Sequence, residues 1–232
     1  FQEHSVYSFN GFDTWKENKL GEIGKLWPDF ETNLEFKFQV DTLDGKIRFL
    51  DGKRKGEIAG ICDSNYYEIK DGRTKFKDRN AEENIRAAFG LYHIQYFFEL
   101  LNRLRLAPII CYAGEQEFNG NNYDLVFCTW GEAEPHQDHD QYLLWINQET
   151  GFLDYSEYSV REPYAKPIGY KRIGGNIQYL DYREIDDVWI PHYQIVYPFK
   201  KRTEQDKFIH NLKISNFQFD NFDVEEVKAK VN

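Results

Sequence analysis

Two imidazoles and two carboxylates crowd into His136-Gln137-Asp138-His139-Asp140, inside the stretch "EPHQDHDQYLLWIN". These are the donor types that hold zinc and the types that exchange protons in acid–base catalysis. Their spacing argues against both uses. Neighbours in an extended chain point to alternate faces, so His136, Asp138, His139 and Asp140 do not converge on one ion unaided. A structural metal needs a closed ligand set. The stretch is therefore expected to be a solvated hairpin tip without a tightly bound metal. A metal-assisted hydrolase using this cluster stays as an alternative.

Other chemical signatures are weaker. There is no G-x-S-x-G, and no Ser stands in a strand–turn–helix context. Gly174-Gly175-Asn176 precedes no helix, so it is not a phosphate loop. The basic stretches "DGKRKG" and "GRTKFKDRN" are short enough to be solvated turns. Asp186-Asp187 reads as a hairpin turn; paired catalytic carboxylates would need a shared cleft. No motif implies a cofactor.

The elements that would position such residues are mostly strands. The chain has 232 residues, and 17% are aromatic: sixteen Tyr, nineteen Phe and five Trp. That composition favours strands over helices. The length allows one large β-rich domain, and nothing reads as a linker or repeat, so 1–232 is taken as one domain. The net charge of −10 disfavours nucleic acid and anionic membrane surfaces as partners. No apolar run is long enough to span a membrane. Three distant cysteines, Cys62, Cys111 and Cys128, leave one bridge plus a thiol, or three thiols. Methionine is absent, and the start "FQEHSVYSFNGFDTW" is what a removed signal peptide, or trimming, would leave.

Along the chain, residues 1–31 carry a helical signal around "GFDTWKENKLGEIGKLW", closed by Pro28. Leu34, Phe36, Phe38 and Val40 then alternate with polar residues, the mark of a half-buried strand. Asp-Gly turns carry the chain through "IRFL", "EIAGIC" and "YYEIKDGRTKF" as an antiparallel meander. Residues 81–105 form the strong helical segment. It should start at a capping box of Asn80 and Glu83 and break at Gly90, and its stripe includes Phe97, Phe98 and Leu101. After "YAGEQEFNGNN" six further strands are expected, from "YDLVFCTW" to "KFIHNLKISNFQF". In the last, Phe217 and Phe219 are out of phase with Leu212 and Ile214, which predicts a bulge near Ser215–Asn216. In "QYLLWIN", Leu144 and Ile146 share one face and Trp145 takes the other. In "VWIPHYQIVYPF", Trp189, Tyr193 and Tyr197 share a face, either plain core or a ligand wall.

From about residue 30 to residue 227 this order resembles the LolA/LolB-like superfamily of periplasmic lipoprotein carriers, and most closely its uncharacterised secreted relatives in Bacteroidetes-type bacteria. "DQYLLWINQETGFLDYSEYSV" is similar to the family's strand–turn–strand, and "YLDYREIDDVWIPHYQIVY" to its next hairpin. The resemblance implies a strongly curved antiparallel sheet, an incomplete β-barrel, with helices on its concave face. It places His136–Asp140 in the loop before a strand, where Asp138 or Asp140 would be a turn or strand-start residue. It further implies a non-enzymatic periplasmic or outer-membrane-associated binding protein, monomeric, without cofactor. Its apolar cavity would take a lipid or acyl chain. If the sheet curls around the 81–105 plug, the cavity residues are Phe36, Phe38, Phe97, Phe98, Leu101, Leu144, Ile146, Trp189, Tyr193 and Tyr197. A carbohydrate-binding β protein is the other alternative.

Overall fold

The structure, a computed structural model, describes residues 1–132, 138–159, 161, 174–198 and 207–229. Its thirteen strands form one antiparallel sheet. Strands β1 (Val6–Trp15), β2 (Glu31–Gln39), β3 (Gly45–Phe49), β4 (Ile58–Cys62), β5 (Asn65–Lys70) and β6 (Arg73–Lys77) run outward as one meander. Strands β7 (Ile109–Phe118), β8 (Asn121–Thr129), β9 (Gln141–Asn147), β10 (Leu153–Ser159), β11 (Gly174–Ile185), β12 (Val188–Pro198) and β13 (His210–Phe219) run back as a second. The pairing of β1 with β13 joins the two, and β6 and β7 are the free edges of an unclosed barrel.

This order explains the helical plug. The chain leaves the sheet at one edge, β6, and re-enters at the opposite edge, β7, so the segment between must cross the sheet's face. It does so as α2 (Ile85–Phe98) and α3 (Leu100–Leu104). Thirteen flat strands would be about 58 Å wide, while the two helices span only about 21 and 7.5 Å. A sheet curled around them shortens the path.

Two buried clusters bind helix to sheet. Tyr7, Phe9, Phe36, Phe38 and Phe217 pack with Phe98 and Leu91 of α2. Phe97, Leu100 and Leu104 pack with Tyr142, Leu144 and Tyr158 of the second meander. A third cluster of Tyr123, Leu125, Trp145 and Tyr155 lies on the other sheet face, as alternation along β9 requires. The bulge expected near Ser215–Asn216 is present. Asn10 pairs with Ser215 but Ser8 pairs with Gln218, and Asn216 takes φ 54°. Phe217 and Phe219 thereby return to the buried face. All three cysteines are free thiols.

Three expectations need correcting. The helical reading of 1–31 shrinks to α1 (Lys19–Gly24), capped by Asn18, while Val6–Trp15 is a strand. Its period was hidden because two inward positions are not hydrophobic. Gly11 faces Phe36, where a Cβ would come within 2.7 Å of the ring. Asp13 is buried, accepting from the Trp15 and Trp27 indoles at 2.9 and 2.7 Å. Second, α2 begins after Asn84, whose side-chain amide donates to the Asp78 carbonyl instead of capping the helix. The helical break falls at Glu99, not Gly90; Gly90 stays helical and lets Trp27 and Leu26 close in. Third, strands are expected to resume only after "YAGEQEFNGNN", but Ile109–Phe118 is already edge strand β7. A register shift between Tyr112 and Glu115 and a polar second half disguised it.

Candidate functional site

A cleft of about 580 Å³ opens where the α2–α3 junction meets the tip of the β11–β12 hairpin and the N-terminal residues. The helices supply Phe97, Phe98, Leu100 and Leu101; Leu101 is 51% exposed despite lying on an apolar stripe. The hairpin supplies Tyr179, Tyr182, Trp189 and Ile190. Tyr182 is fixed by donating from its hydroxyl to the Leu153 carbonyl at 2.6 Å. Phe152 stacks on Tyr182 at 4.5 Å and lies 5.2 Å from Trp189. At the hairpin tip Ile185 pairs with Val188, so Asp186 and Asp187 form a two-residue turn, with φ of 49° and 61°. Two left-handed residues in a row match the twist of the flanking strands, and Asp tolerates that region. Phe1 packs edge-on against Tyr7 and Phe219 and completes the wall.

The cleft's floor carries one buried carboxylate. Glu99 sits at the helical break, accepting from Gln95 Nε2 at 3.0 Å, Arg103 Nη2 at 2.6 Å and the Asp41 amide at 3.3 Å. Burial raises its pKa above the usual carboxylate range, and the adjacent Arg103 guanidinium partly offsets this. The same Arg103 lies 5.4 Å over the Tyr96 ring and belongs to a second cleft of similar volume, about 580 Å³. That cleft is walled by Leu106 and Trp130 and includes His139 and Asp140.

Here the histidine–aspartate stretch divides. His136 lies outside the described residues. Asp138 is exposed, His139 is half-buried in the second cleft, and Asp140 is buried just before β9. The Asp140 carboxylate accepts from the Arg161 amide and, at 3.5 Å, from the Tyr142 hydroxyl, while its carbonyl accepts from Thr129 at 2.8 Å. Asp140 thus anchors a strand start. Among the described residues no three His, Cys, Asp or Glu side chains gather as a metal site.

Of the ten expected cavity residues, Phe97, Phe98, Leu101 and Trp189 line the first cleft. Phe36 and Phe38 are fully buried in a stack in which Phe9 stands 4.7 Å from Phe36 and 4.6 Å from Phe98. Leu144 and Ile146 pack in the cluster beneath Phe97. Tyr193 and Tyr197 are on the wrong side. Gln194 pairs with buried Leu212 and Val196 joins the helix-facing cluster, so the inward face of β12 is Ile190, His192, Gln194 and Val196. Tyr193 lies under the Lys213 ammonium at 5.2 Å, and the Tyr197 hydroxyl donates to Gln178 at 3.3 Å. The aromatic face looked like the inner one because the true inner face carries His192 and Gln194. His192 is satisfied there by the Ile190 carbonyl at 2.9 Å. Sequence reasoning missed Tyr179, Tyr182, Phe1 and Glu99. Only the break in the helix at Glu99 left a trace, a charged residue within the apolar stripe.

No protein-family model and no curated protein matches the chain. Solved structures do. A LolA superfamily protein from Nitrosomonas europaea superposes with a TM-score of 0.54 at 9% identity, over 97% of this chain and 91% of that one. A DUF1329 family protein from Desulfovibrio piger gives 0.57 at 11% identity, over 97% and 90%. A domain from Vibrio parahaemolyticus, described as a candidate outer membrane lipoprotein-sorting protein, gives 0.55 at 11%, over 96% and 88%. The chain has the LolA-like fold.

Proposed function

We propose that this protein is a non-enzymatic, monomeric binding protein of the bacterial envelope, periplasmic or associated with the outer membrane, whose first cleft takes an acyl chain or similar lipid. The observation that supports this most is the cleft itself. Its walls of Phe97, Phe98, Leu100, Leu101, Tyr182 and Trp189 stand at the junction of plug and sheet in a LolA-like fold. About 580 Å³ lies within the size range of small-ligand sites. Apolar burial supplies the affinity, roughly 0.8 kcal/mol per buried methylene before ordering costs. No helix among the described residues is long and apolar enough to cross a membrane.

Titration with a neutral fluorescent hydrophobic probe tests the reading. Saturable binding is expected, with displacement by unlabelled single-chain lipids that strengthens as the chain lengthens. Leu101→Asp places a charge on the exposed lip of the cleft and should weaken the probe at least tenfold with an unchanged melting curve. Non-saturable binding, or a Leu101→Asp variant as good as the parent, overturns the assignment. Phe98→Asp is a poorer test, because Phe98 also stacks in the core at 4.6 Å from Phe9.

A further inference from the structure

The side chains that line the first cleft carry more negative than positive charge. Its lining includes the carboxylates of Glu3, Glu99, Asp186 and Asp187, and no Lys or Arg among the described residues. Glu99 is neutralised by Arg103. The remaining three stand at the mouth: Glu3 is exposed on the N-terminal wall, and Asp186 and Asp187 occupy the hairpin tip. His4, the basic side chain of the lining, is engaged by Asp220 at 2.8 Å. Arg105 lies beside the lining, its guanidinium engaged by the side chains of Asn102, at 3.1 Å, and Gln2. The rings of Phe1, Tyr182 and Trp189 line the same mouth.

Resting on the cleft reading above, we infer that the ligand is an amphiphile with a cationic head group, an alkylammonium in chemical class, its chain in the cleft and its head at the mouth formed by Glu3, Asp186 and Asp187. An anionic head would stand beside three like charges, which opposes binding. A cationic head gains from the same carboxylates, and aromatic rings at the mouth are the side chains on which ammonium groups rest. The chain's net charge of −10 adds a diffuse attraction for any cation, so the local contribution must be separated from it.

The experiment uses the full chain, the neutral probe N-phenyl-1-naphthylamine, and three competitors of equal chain length below their micellar concentrations: dodecyltrimethylammonium, monododecanoylglycerol and dodecanoate. At low salt the ammonium should displace the probe at about fivefold lower concentration than the neutral lipid, the upper end for a solvent-exposed charge contact. Dodecanoate should be the weakest. The preference should shrink towards unity in about 0.5 M salt, where the screening length is a few ångströms. It should shrink, though less fully, in the double variant Asp186→Asn, Asp187→Asn, which leaves Glu3 in place and keeps residues that tolerate positive φ. The control pair Glu115→Gln, Glu117→Gln makes the same change in net charge far along the chain and should leave the preference intact. Equal displacement by all three competitors overturns the inference and leaves the cleft reading standing. So does a preference for dodecanoate, or an ammonium preference that is undiminished in the Asn variant. Failure of the probe to bind overturns both together.

Discussion

Asp13 joins three parts of the chain through one carboxylate. It is 1% exposed and accepts from the indoles of Trp15 and Trp27 and from His210 Nδ1 at 3.2 Å. Its removal strands buried donors, each worth about 1–3 kcal/mol when left unsatisfied. Asp13→Ala should therefore cost about 3 kcal/mol in urea unfolding followed by tryptophan fluorescence, and Asp13→Asn less, since the amide oxygen still accepts. A loss under about 1 kcal/mol, the middle of the range for ordinary substitutions, would show the network to be dispensable. His93 gives a pH test. Its ring is hemmed in by Phe89, Phe97 and Tyr158, at centroid distances of 5.1, 4.5 and 5.7 Å. Burial, followed by the neighbouring His210, pushes its pKa down to about 3. The unfolded chain binds this proton below about pH 6.5, its ordinary value, and the folded chain does not. The stabilisation is complete above pH 6.5 and is lost as the pH falls towards 3. Stability should rise with pH across that window, at no more than about 1.4 kcal/mol per unit from this residue. The ring is half-buried, so the slope should fall short of that ceiling. His93→Phe should flatten the difference between melts at pH 4.5 and 6.5; an unchanged slope would assign the acid limb to other groups.

The strands show where a sequence is legible and where it is not. β2 was readable because every inward position from Leu34 to Phe38 is apolar and every partner polar. The β13 bulge was readable because Phe217 and Phe219 fall out of phase by one residue, and only an inserted residue repairs that. β1 was unreadable because Gly11 and Asp13 occupy inward positions for reasons that lie in other strands: the Phe36 ring and the Trp27 indole. β12 failed in the same way, with His192 and Gln194 turned inward, and this misplaced Tyr193 and Tyr197 in the candidate site. About a third of the first cleft comes from segments with no periodic signal, Phe1–His4 and the Asp186-Asp187 turn, so it could not be assembled without the fold. The bulge has its own test. Asn216, at φ 54°, sits where a β-branched residue is strained by about 1–2 kcal/mol and glycine is not. Asn216→Val should lose that amount in chemical denaturation, and Asn216→Gly should stay within about 0.5 kcal/mol of the parent. Equal losses in both would mean that the Asn side chain, rather than the backbone, holds the bulge.

The molecule as a whole is a sheet with two free edges, and its edges are defended unequally. β6 at one edge carries Arg73, Lys75 and Lys77 within five residues, with Lys77 paired to Glu68. Charged side chains on an edge strand oppose pairing with another chain. β7 at the other edge presents Ile110 and Tyr112, 51% and 63% exposed, in its first half, while Glu115 and Glu117 protect only the second. The bulge between Tyr112 and Glu115 bends the strand and confines the unprotected stretch to Ile109–Tyr112. β6 and β7 lie at opposite ends of the strand order, each held by one neighbour, β5 and β8, so each leaves one side unpaired. Self-association on heating should therefore start at β7. Ile110→Lys should raise the temperature at which light scattering begins while changing unfolding stability by no more than about 0.5 kcal/mol, as for other surface substitutions. Lys75→Ile, which strips the guard from β6, should lower that temperature with equally little effect on stability. If Ile110→Lys leaves the onset unmoved while Lys75→Ile still lowers it, β6 rather than β7 is the vulnerable edge, and the bulge in β7 suffices to guard its apolar half.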